Sequence, residues 1–186
     1  MKILSIINQE KKQFLVKPDT ALLRNNDAYY IPPFSQKIEA RCLLLVKVLR
    51  VTKAISVCYA GRCYDEMGVA IEFLATDVLE DCIKHSAPWD IALSYDKALA
   101  VPNNLVSVEK DDVTFEFSKN GEKQTIVVED VRSKINEAIS YLSHYVTLKI
   151  GDMVTLPLNI SLGEVAIGDV IKGKCSDIEC LDFDVK

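Results

Sequence analysis

Segments with the composition of β-strands fill much of the chain, and no other feature limits its fold as strongly. Seven runs are rich in β-branched and aromatic residues: 2–7, 36–51, 67–75, 91–95, 113–128, 152–158 and 169–175. The run "VTFEFSKNGEKQTIVV" contains Asn120-Gly121, a dipeptide that favours the tight turn of a β-hairpin. The pattern therefore predicts a strand-rich fold with at least one hairpin.

Two segments have helical character instead. "ATDVLEDCIKH" (75–85) has an acid near its start, and "DVRSKINEAISYLSHYV" (130–146) places Ile135 and Ile139 on one apolar stripe. Few helices among many strands predict a β-rich α+β fold. The length is that of about one domain, and we expect a single domain over 1–186.

The N-terminal part is harder to interpret. After the strand-like 2–7, the chain contains Pro18, Pro32 and Pro33 and shows no clean hydrophobic period. We therefore predict that residues 1–35 include an irregular segment that wraps around the core.

Composition limits the classes of partner. Hydrophobic residues make up 49% of the chain, charged residues 26%, and the formal net charge is −5 with no basic cluster, so no nucleic-acid partner is expected. No apolar run approaches the ~20 residues of a membrane span, so no membrane partner is expected either.

The six cysteines form no Cys-x-x-Cys pair and no signal peptide precedes them, which predicts reduced thiols in a cytoplasmic protein.

One carboxylate stands in an unusual place. Glu72 lies within "GVAIEFLATDVLEDC" (68–82), among Val69, Ile71 and Phe73. A charge in apolar surroundings is costly unless it is paired or holds a metal. Glu72 therefore lies either on a solvent face of the strand or in a site.

A specific order of segments runs through almost the whole chain. The segments are "FLVKPDTALL", "PPFSQKIEARCLLLVKV", "YDEMGVAIEFLATDVLEDC", "PWDIALSYD", "NGE", "AISYLSHYVTLKIGDMVTLP" and "VAIGDVI". Together they resemble the fumarylacetoacetate hydrolase family, including its fumarylpyruvate hydrolases and 2-hydroxyhepta-2,4-diene-1,7-dioate isomerases. The resemblance implies a mixed β-roll with a few helices, as in the C-terminal domain of the family, and a homodimer. It also implies hydrolysis, isomerisation or decarboxylation of 2-oxo and diketo acids with Mg²⁺ or Mn²⁺ held by three carboxylates.

The three carboxylates are only partly present. Aligned with the family, the chain places Arg41 and Leu43 at the positions of the Glu-x-Glu pair, and Glu72 at the position of the third acid. The resemblance therefore implies that Glu72 is the remnant of a metal site. We consider two surroundings for it: an ion pair with Arg41 across the site, or exposure to solvent.

Other family groups are replaced as well. The lysine that holds the acid group of the substrate corresponds to Leu93, and the Thr-Gly-Thr-Pro turn corresponds to 156–159, with Leu156 and Leu158 in it. The His-x-x-Glu lid has no counterpart, so the lid region is shortened. Whether Leu43 and these three leucines close the former pocket is left open by the sequence.

Two functions follow as hypotheses. The first is a pseudoenzyme without catalytic residues or a cofactor, which binds a small ligand or acts as a dimer partner, in a homodimer or with an active paralogue. The second is an active hydrolase, isomerase or decarboxylase that acts on a small 2-oxo or diketo acid with Mg²⁺ or Mn²⁺. Because the resemblance gives only one of three metal acids, we favour the first.

Overall fold

A computed structural model describes residues 1–8 and 13–186, and strands dominate it. The strands are β1 (Lys2–Asn8), β2 (Gln13–Pro18), β3 (Leu22–Leu23), β4 (Ile38–Lys47), β5 (Glu66–Ala75), β6 (Leu99–Ala100), β7 (Val106–Ser107), β8 (Val113–Lys119), β9 (Glu122–Val128), β10 (Met153–Glu164), β11 (Val170–Cys175) and β12 (Ile178–Asp184). The helices are α1 (Val57–Ala60), α2 (Thr76–Lys84), α3 (Asp90–Leu93) and α4 (Val131–Tyr145), with a 3₁₀ turn at Asp19–Ala21. The predicted β-rich α+β class is confirmed.

The strands form two sheets. The larger has eight strands in the order β2-β1-β10-β4-β5-β6-β3, with β7 pairing beside β5. β1 pairs with β10, and β3 with β6, in parallel, whereas the other pairs are antiparallel, so the sheet is mixed. The smaller sheet has the order β12-β11-β8-β9 and is antiparallel.

The long strands β4 and β5 lie in the middle of the larger sheet. Their antiparallel register runs from Ile38 opposite Ala75 to Val46 opposite Met67. Because side chains alternate along a strand, one face of the pair joins the main core. The other face carries Glu39, Arg41, Leu43 and, opposite Arg41, Glu72. This alternation sets which side chains can meet at a site.

Both predicted helices are present. α2 begins at Thr76, and α4 buries Ile135, Ile139 and Leu142 completely, as its apolar stripe predicts. In the part of the chain that the structure describes, neither these helices nor the shorter ones have the length and apolar character needed to cross a bilayer.

The hairpin predicted at Asn120-Gly121 is also present. It joins β8 to β9, with φ of 53° at Asn120 and 87° at Gly121. Positive φ at both central residues is the requirement of a type I′ turn, which Asn-Gly meets at low cost.

The prediction of an irregular wrap over residues 1–35 is wrong for part of that range. β2 pairs antiparallel with β1, and β3 pairs with β6. β2 is the edge strand of its sheet, and its last residue is Pro18, a position where a missing N–H is tolerated. An edge strand is covered on fewer sides, so its residues show a weaker hydrophobic period, which explains why the sequence did not reveal it.

Two further differences concern short apolar runs. Residues 91–95 were expected to form a strand, but the chain forms the helical turn α3 there, with Ala92 and Leu93 buried. A short apolar run fits either structure equally well. Conversely, β12 was not predicted, because Glu179 and Asp182 interrupt its apolar residues.

Candidate functional site

A cavity of about 250 Å³ opens on the face of the larger sheet that carries Arg41 and Glu72. It lies where β4, β5 and β10 run side by side and β1 ends. Among the residues that the structure describes, the polar side chains that line it are Glu39, Arg41, Glu72, Asn159 and Ser161. The former site positions Arg41 and Glu72 are therefore brought together, in a cavity that is still open.

Glu72 forms an ion pair with a lysine that the sequence did not identify. Lys17 Nζ lies 2.7 Å from Glu72 Oε1, and the Lys17 side chain is completely buried. The same ammonium donates a hydrogen bond to the backbone carbonyl oxygen of Leu93. The Glu72 carboxylate and the Leu93 carbonyl oxygen thus replace the hydrogen bonds to water that the ammonium loses when it is buried.

This ion pair also shows how the sheet curves. Lys17 is on β2 and Glu72 on β5, four places apart in the strand order. In a flat sheet that separation would be about 19 Å, farther than the two side chains reach. The larger sheet must therefore curl until β2 faces β5, which gives the rolled shape that the resemblance implied, with the cavity on the concave side.

A chain of buried hydroxyl groups continues the network. Thr155 Oγ1 donates to Ser5 Oγ at 2.9 Å, and Ser5 Oγ donates to Glu72 Oε1 at 3.3 Å. Both hydroxyl residues are buried. Glu72 Oε1 thus contacts the Lys17 ammonium and accepts a hydrogen bond from the Ser5 hydroxyl group. Glu72 Oε2 accepts no hydrogen bond from the described residues 1–8 and 13–186.

Arg41 has a different partner from the one that was considered. Its Nη2 lies 3.4 Å from Glu39 Oε2, two residues away on the same face of β4. Ser161 Oγ on β10 donates to the other oxygen of Glu39 at 2.6 Å. Arg41 and Glu39 are partly exposed, at 39% and 28% of their side chains.

Both surroundings considered for Glu72 are therefore wrong. Glu72 is only 8% exposed, so it does not face solvent. Although Arg41 stands directly opposite it in the register, the ion pair goes to Lys17. The physical reason is the curl of the sheet. It brings the buried Lys17 ammonium on β2 to the buried Glu72 carboxylate on β5.

The four leucines at former site positions do not converge. Leu43 lines the cavity and packs with Ile3 and Leu45, whereas the Leu93 side chain packs against Leu74 and is not among the lining residues. The other two belong to the main core: Leu156 and Leu158. The hydrophobic replacements thus fill separate parts of the protein and leave the cavity open.

The segment that replaces the family turn is a bulge in β10. Pro157 stands opposite Leu43 and Ile160 opposite Cys42, so Leu158 and Asn159 are extra residues on this strand. Asn159 has a φ of 56°, a conformation that asparagine tolerates better than most residues. The bulge places Asn159, the last residue of the segment that aligns with the family turn, at the cavity wall.

The residues present do not fit the divalent cation of the family. Within residues 1–8 and 13–186, no three His, Cys, Asp or Glu side chains are arranged to hold a metal ion. At the positions of the Glu-x-Glu pair stand a cation, Arg41, and an alkyl chain, Leu43, and the remaining acid is already paired. Mg²⁺ and Mn²⁺ need several oxygen ligands, which this set does not supply.

Comparison with known proteins places the fold. No family model matches the chain. It is 26% identical over 165 residues to an oxaloacetate tautomerase of Escherichia coli, a match covering 86% of this chain and 75% of that protein. A Yersinia pestis protein assigned to the fumarylacetoacetate hydrolase family superposes with a TM-score of 0.87 at 22% identity, covering 100% of this chain and 92% of that one. The chain is therefore similar in sequence and fold to proteins of the fumarylacetoacetate hydrolase family. The fumarylpyruvate hydrolase of Pseudomonas aeruginosa, in complex with Mn²⁺ and pyruvate, also superposes, with a TM-score of 0.85 at 16% identity, covering 100% of this chain and 89% of that one.

Proposed function

We propose that this member of the fumarylacetoacetate hydrolase family has given up the metal-dependent reaction and binds a small ligand in its cavity without catalysis. The ion pair between Lys17 and Glu72 carries the proposal, because it occupies the one family acid that remains. The open cavity of about 250 Å³ gives such a ligand a place.

The energetic argument concerns what a metal would have to displace. If Glu72 turned to a cation, the fully buried ammonium of Lys17 would lose its counter-charge. Breaking a buried pair in this way costs about 3–5 kcal/mol. Arg41 on the cavity wall would also repel the cation, and Leu43 offers no ligand atom. Metal binding is therefore opposed from three positions.

The names of the relatives give the reactions that are used to test the proposal. They include an oxaloacetate tautomerase and a fumarylpyruvate hydrolase with Mn²⁺ and pyruvate. The competing hypothesis is an active hydrolase, isomerase or decarboxylase that acts on a small 2-oxo or diketo acid with a divalent cation. A homodimer, or a mixed dimer with an active relative, remains a prediction that gel filtration with light scattering checks.

A turnover assay separates the two hypotheses. Enol–keto conversion of oxaloacetate, its decarboxylation and the hydrolysis of acylpyruvates are followed with Mg²⁺ or Mn²⁺, and again with a chelator. The Escherichia coli oxaloacetate tautomerase serves as the positive control for the first reaction. We expect rates equal to the uncatalysed ones in every condition. Turnover that requires the metal and disappears in Glu72→Gln would overturn the proposal.

A further inference from the structure

We propose that the ligand of this cavity is a small aliphatic α-amino acid. This inference rests on the proposed function and names the class of ligand that the cavity binds. It follows from the presence of both signs of charge on one cavity wall together with apolar residues.

The charged groups match a zwitterion. Arg41 presents a cation, while Glu39 and Glu72 present carboxylates, and all three line the same cavity. Lys17 neutralises Glu72 on its Oε1 side, so the wall is close to neutral overall. An ion of one sign would meet repulsion there, whereas a molecule with one positive and one negative group finds a partner for each.

Donors and acceptors remain available for such a ligand. A guanidinium has five N–H donors, and within the described residues Arg41 uses one of them, in a long contact of 3.4 Å. The ligand carboxylate accepts two parallel hydrogen bonds from this guanidinium. The ligand ammonium donates to the carboxylate of Glu39 and to Glu72 Oε2.

Apolar residues make up much of the rest of the wall, beside Asn159 and Ser161, and the volume is small. Ile6, Ile7, Leu43 and Ile160 line the cavity beside the charged residues. Its volume of about 250 Å³ lies below the ~300–1,000 Å³ of common ligand sites. The side chain of the ligand is therefore a short alkyl chain of the size found in alanine, valine or leucine.

The same geometry disfavours the corresponding 2-oxo acid. Replacing the ammonium by a carbonyl leaves Glu39 and Glu72 facing an acceptor oxygen with no proton between them. A site whose buried polar groups lose their partner discriminates strongly against that ligand. We expect the 2-oxo acid to bind at least about tenfold more weakly than the amino acid with the same carbon skeleton.

Calorimetric titration of the full chain, with a chelator present, tests the inference. The probes are alanine, valine and leucine, the 2-oxo acids with the same carbon skeletons, and isobutylamine, which lacks the carboxylate of valine. We expect saturable binding of at least one amino acid and weaker binding of its 2-oxo acid and its amine. Tighter binding of a 2-oxo acid, or no binding by any amino acid, would overturn the inference.

Amino-acid substitutions test whether the ligand binds in this cavity. Arg41→Leu and Glu39→Gln each remove one charge at partly exposed positions, and we expect each to weaken amino-acid binding at least about tenfold. The controls Arg50→Leu and Glu179→Gln make the same changes at exposed positions outside the cavity. They should leave amino-acid binding unchanged. Equal binding in Arg41→Leu and wild type would overturn the inference.

The test is separate from that of the proposed function. Metal-dependent turnover in the assay above contradicts the proposed function. A 2-oxo acid that binds without metal and depends on Arg41 leaves the proposed function standing and overturns only the choice of ligand.

Discussion

The ammonium of Lys17 and the carboxylate of Glu72 lie 2.7 Å apart, although their strands are four places apart in the larger sheet. The contact joins an edge strand to a central strand across the concave face. It requires the sheet to curl, and it also engages the acid that aligns with the third metal ligand of the family. One ion pair thus links the shape of the fold to the chemistry of its site.

Removing the lysine should destabilise the protein strongly. In Lys17→Met, Glu72 stays buried without a counter-charge, and we expect a loss of about 3–5 kcal/mol in the free energy of unfolding. Urea denaturation measures it. The double variant Lys17→Met/Glu72→Gln removes both charges and should recover part of the loss. Additive effects of the two single variants would show that the pair contributes no coupling energy.

Removing the arginine should have little effect on stability. Arg41 is 39% exposed, and its ion-pair contact with Glu39 is long at 3.4 Å. Arg41→Leu should therefore change the free energy of unfolding by less than about 1 kcal/mol, with Arg50→Leu as the matched exposed control. A loss several times larger, measured by the same urea titration, would indicate that Arg41 and not Lys17 balances Glu72.

Asp152 should make stability fall in acid. Its buried carboxylate accepts hydrogen bonds from the backbone N–H groups of Lys2, at 3.0 Å, and Lys149, at 2.7 Å, and pairs with the Lys2 ammonium. Burial alone raises the pKa of Asp152, but these contacts outweigh it and hold the pKa below its ordinary value of 3.8. The ionised form therefore stabilises the fold.

The sign of the effect follows from the lowered pKa. The contribution of Asp152 is fully present above the unfolded-state value of 3.8 and is lost as the pH falls through the lower folded-state pKa. Asp152→Asn should be less stable than wild type at neutral pH, and the difference should shrink below about pH 4. Urea denaturation over a pH series measures it, and a difference that stays constant into acid would contradict the assignment.

Restoring the missing acids should restore metal binding. Arg41→Glu/Leu43→Glu returns two carboxylates to the family positions, next to Glu72. Without metal this variant should be less stable, because Leu43 leaves its packing with Ile3 and Leu45. Mn²⁺ should raise its melting temperature, but not that of Arg41→Gln/Leu43→Gln. Equal responses of the two variants would show that these positions do not face a common metal.

Local patterns in the sequence predict much of the fold. The hairpin at Asn120-Gly121 and helix α4 follow from turn chemistry and from an apolar stripe, both of which involve neighbouring residues. β2 was missed because an edge strand that ends in Pro18 carries a weak period. α3 was mistaken for a strand because its short apolar run fits either structure.

The site was predicted less well, because its contacts are long-range. Alignment placed Arg41 and Glu72 together, and the register does pair them. It could not reveal that Lys17 reaches Glu72, since that depends on the curl of a whole sheet. Nor could it place Leu156, which packs in the main core, or Leu93, whose side chain packs in another cluster while its carbonyl oxygen accepts from Lys17. The position of a residue in a sequence motif predicts which strand it lies on. It does not predict which group a long side chain contacts.

Calorimetric titration of Mn²⁺ into the wild-type chain tests whether the pairing of Glu72 with Lys17 excludes a divalent cation. The Pseudomonas aeruginosa fumarylpyruvate hydrolase, whose structure contains Mn²⁺, is the matched positive control for the calorimeter. Because Glu72 is paired with Lys17, and Arg41 and Leu43 stand where the family has its other two acids, we expect no saturable heat of binding for this chain. One Mn²⁺ ion bound per chain, with the binding abolished in Glu72→Gln, would contradict it.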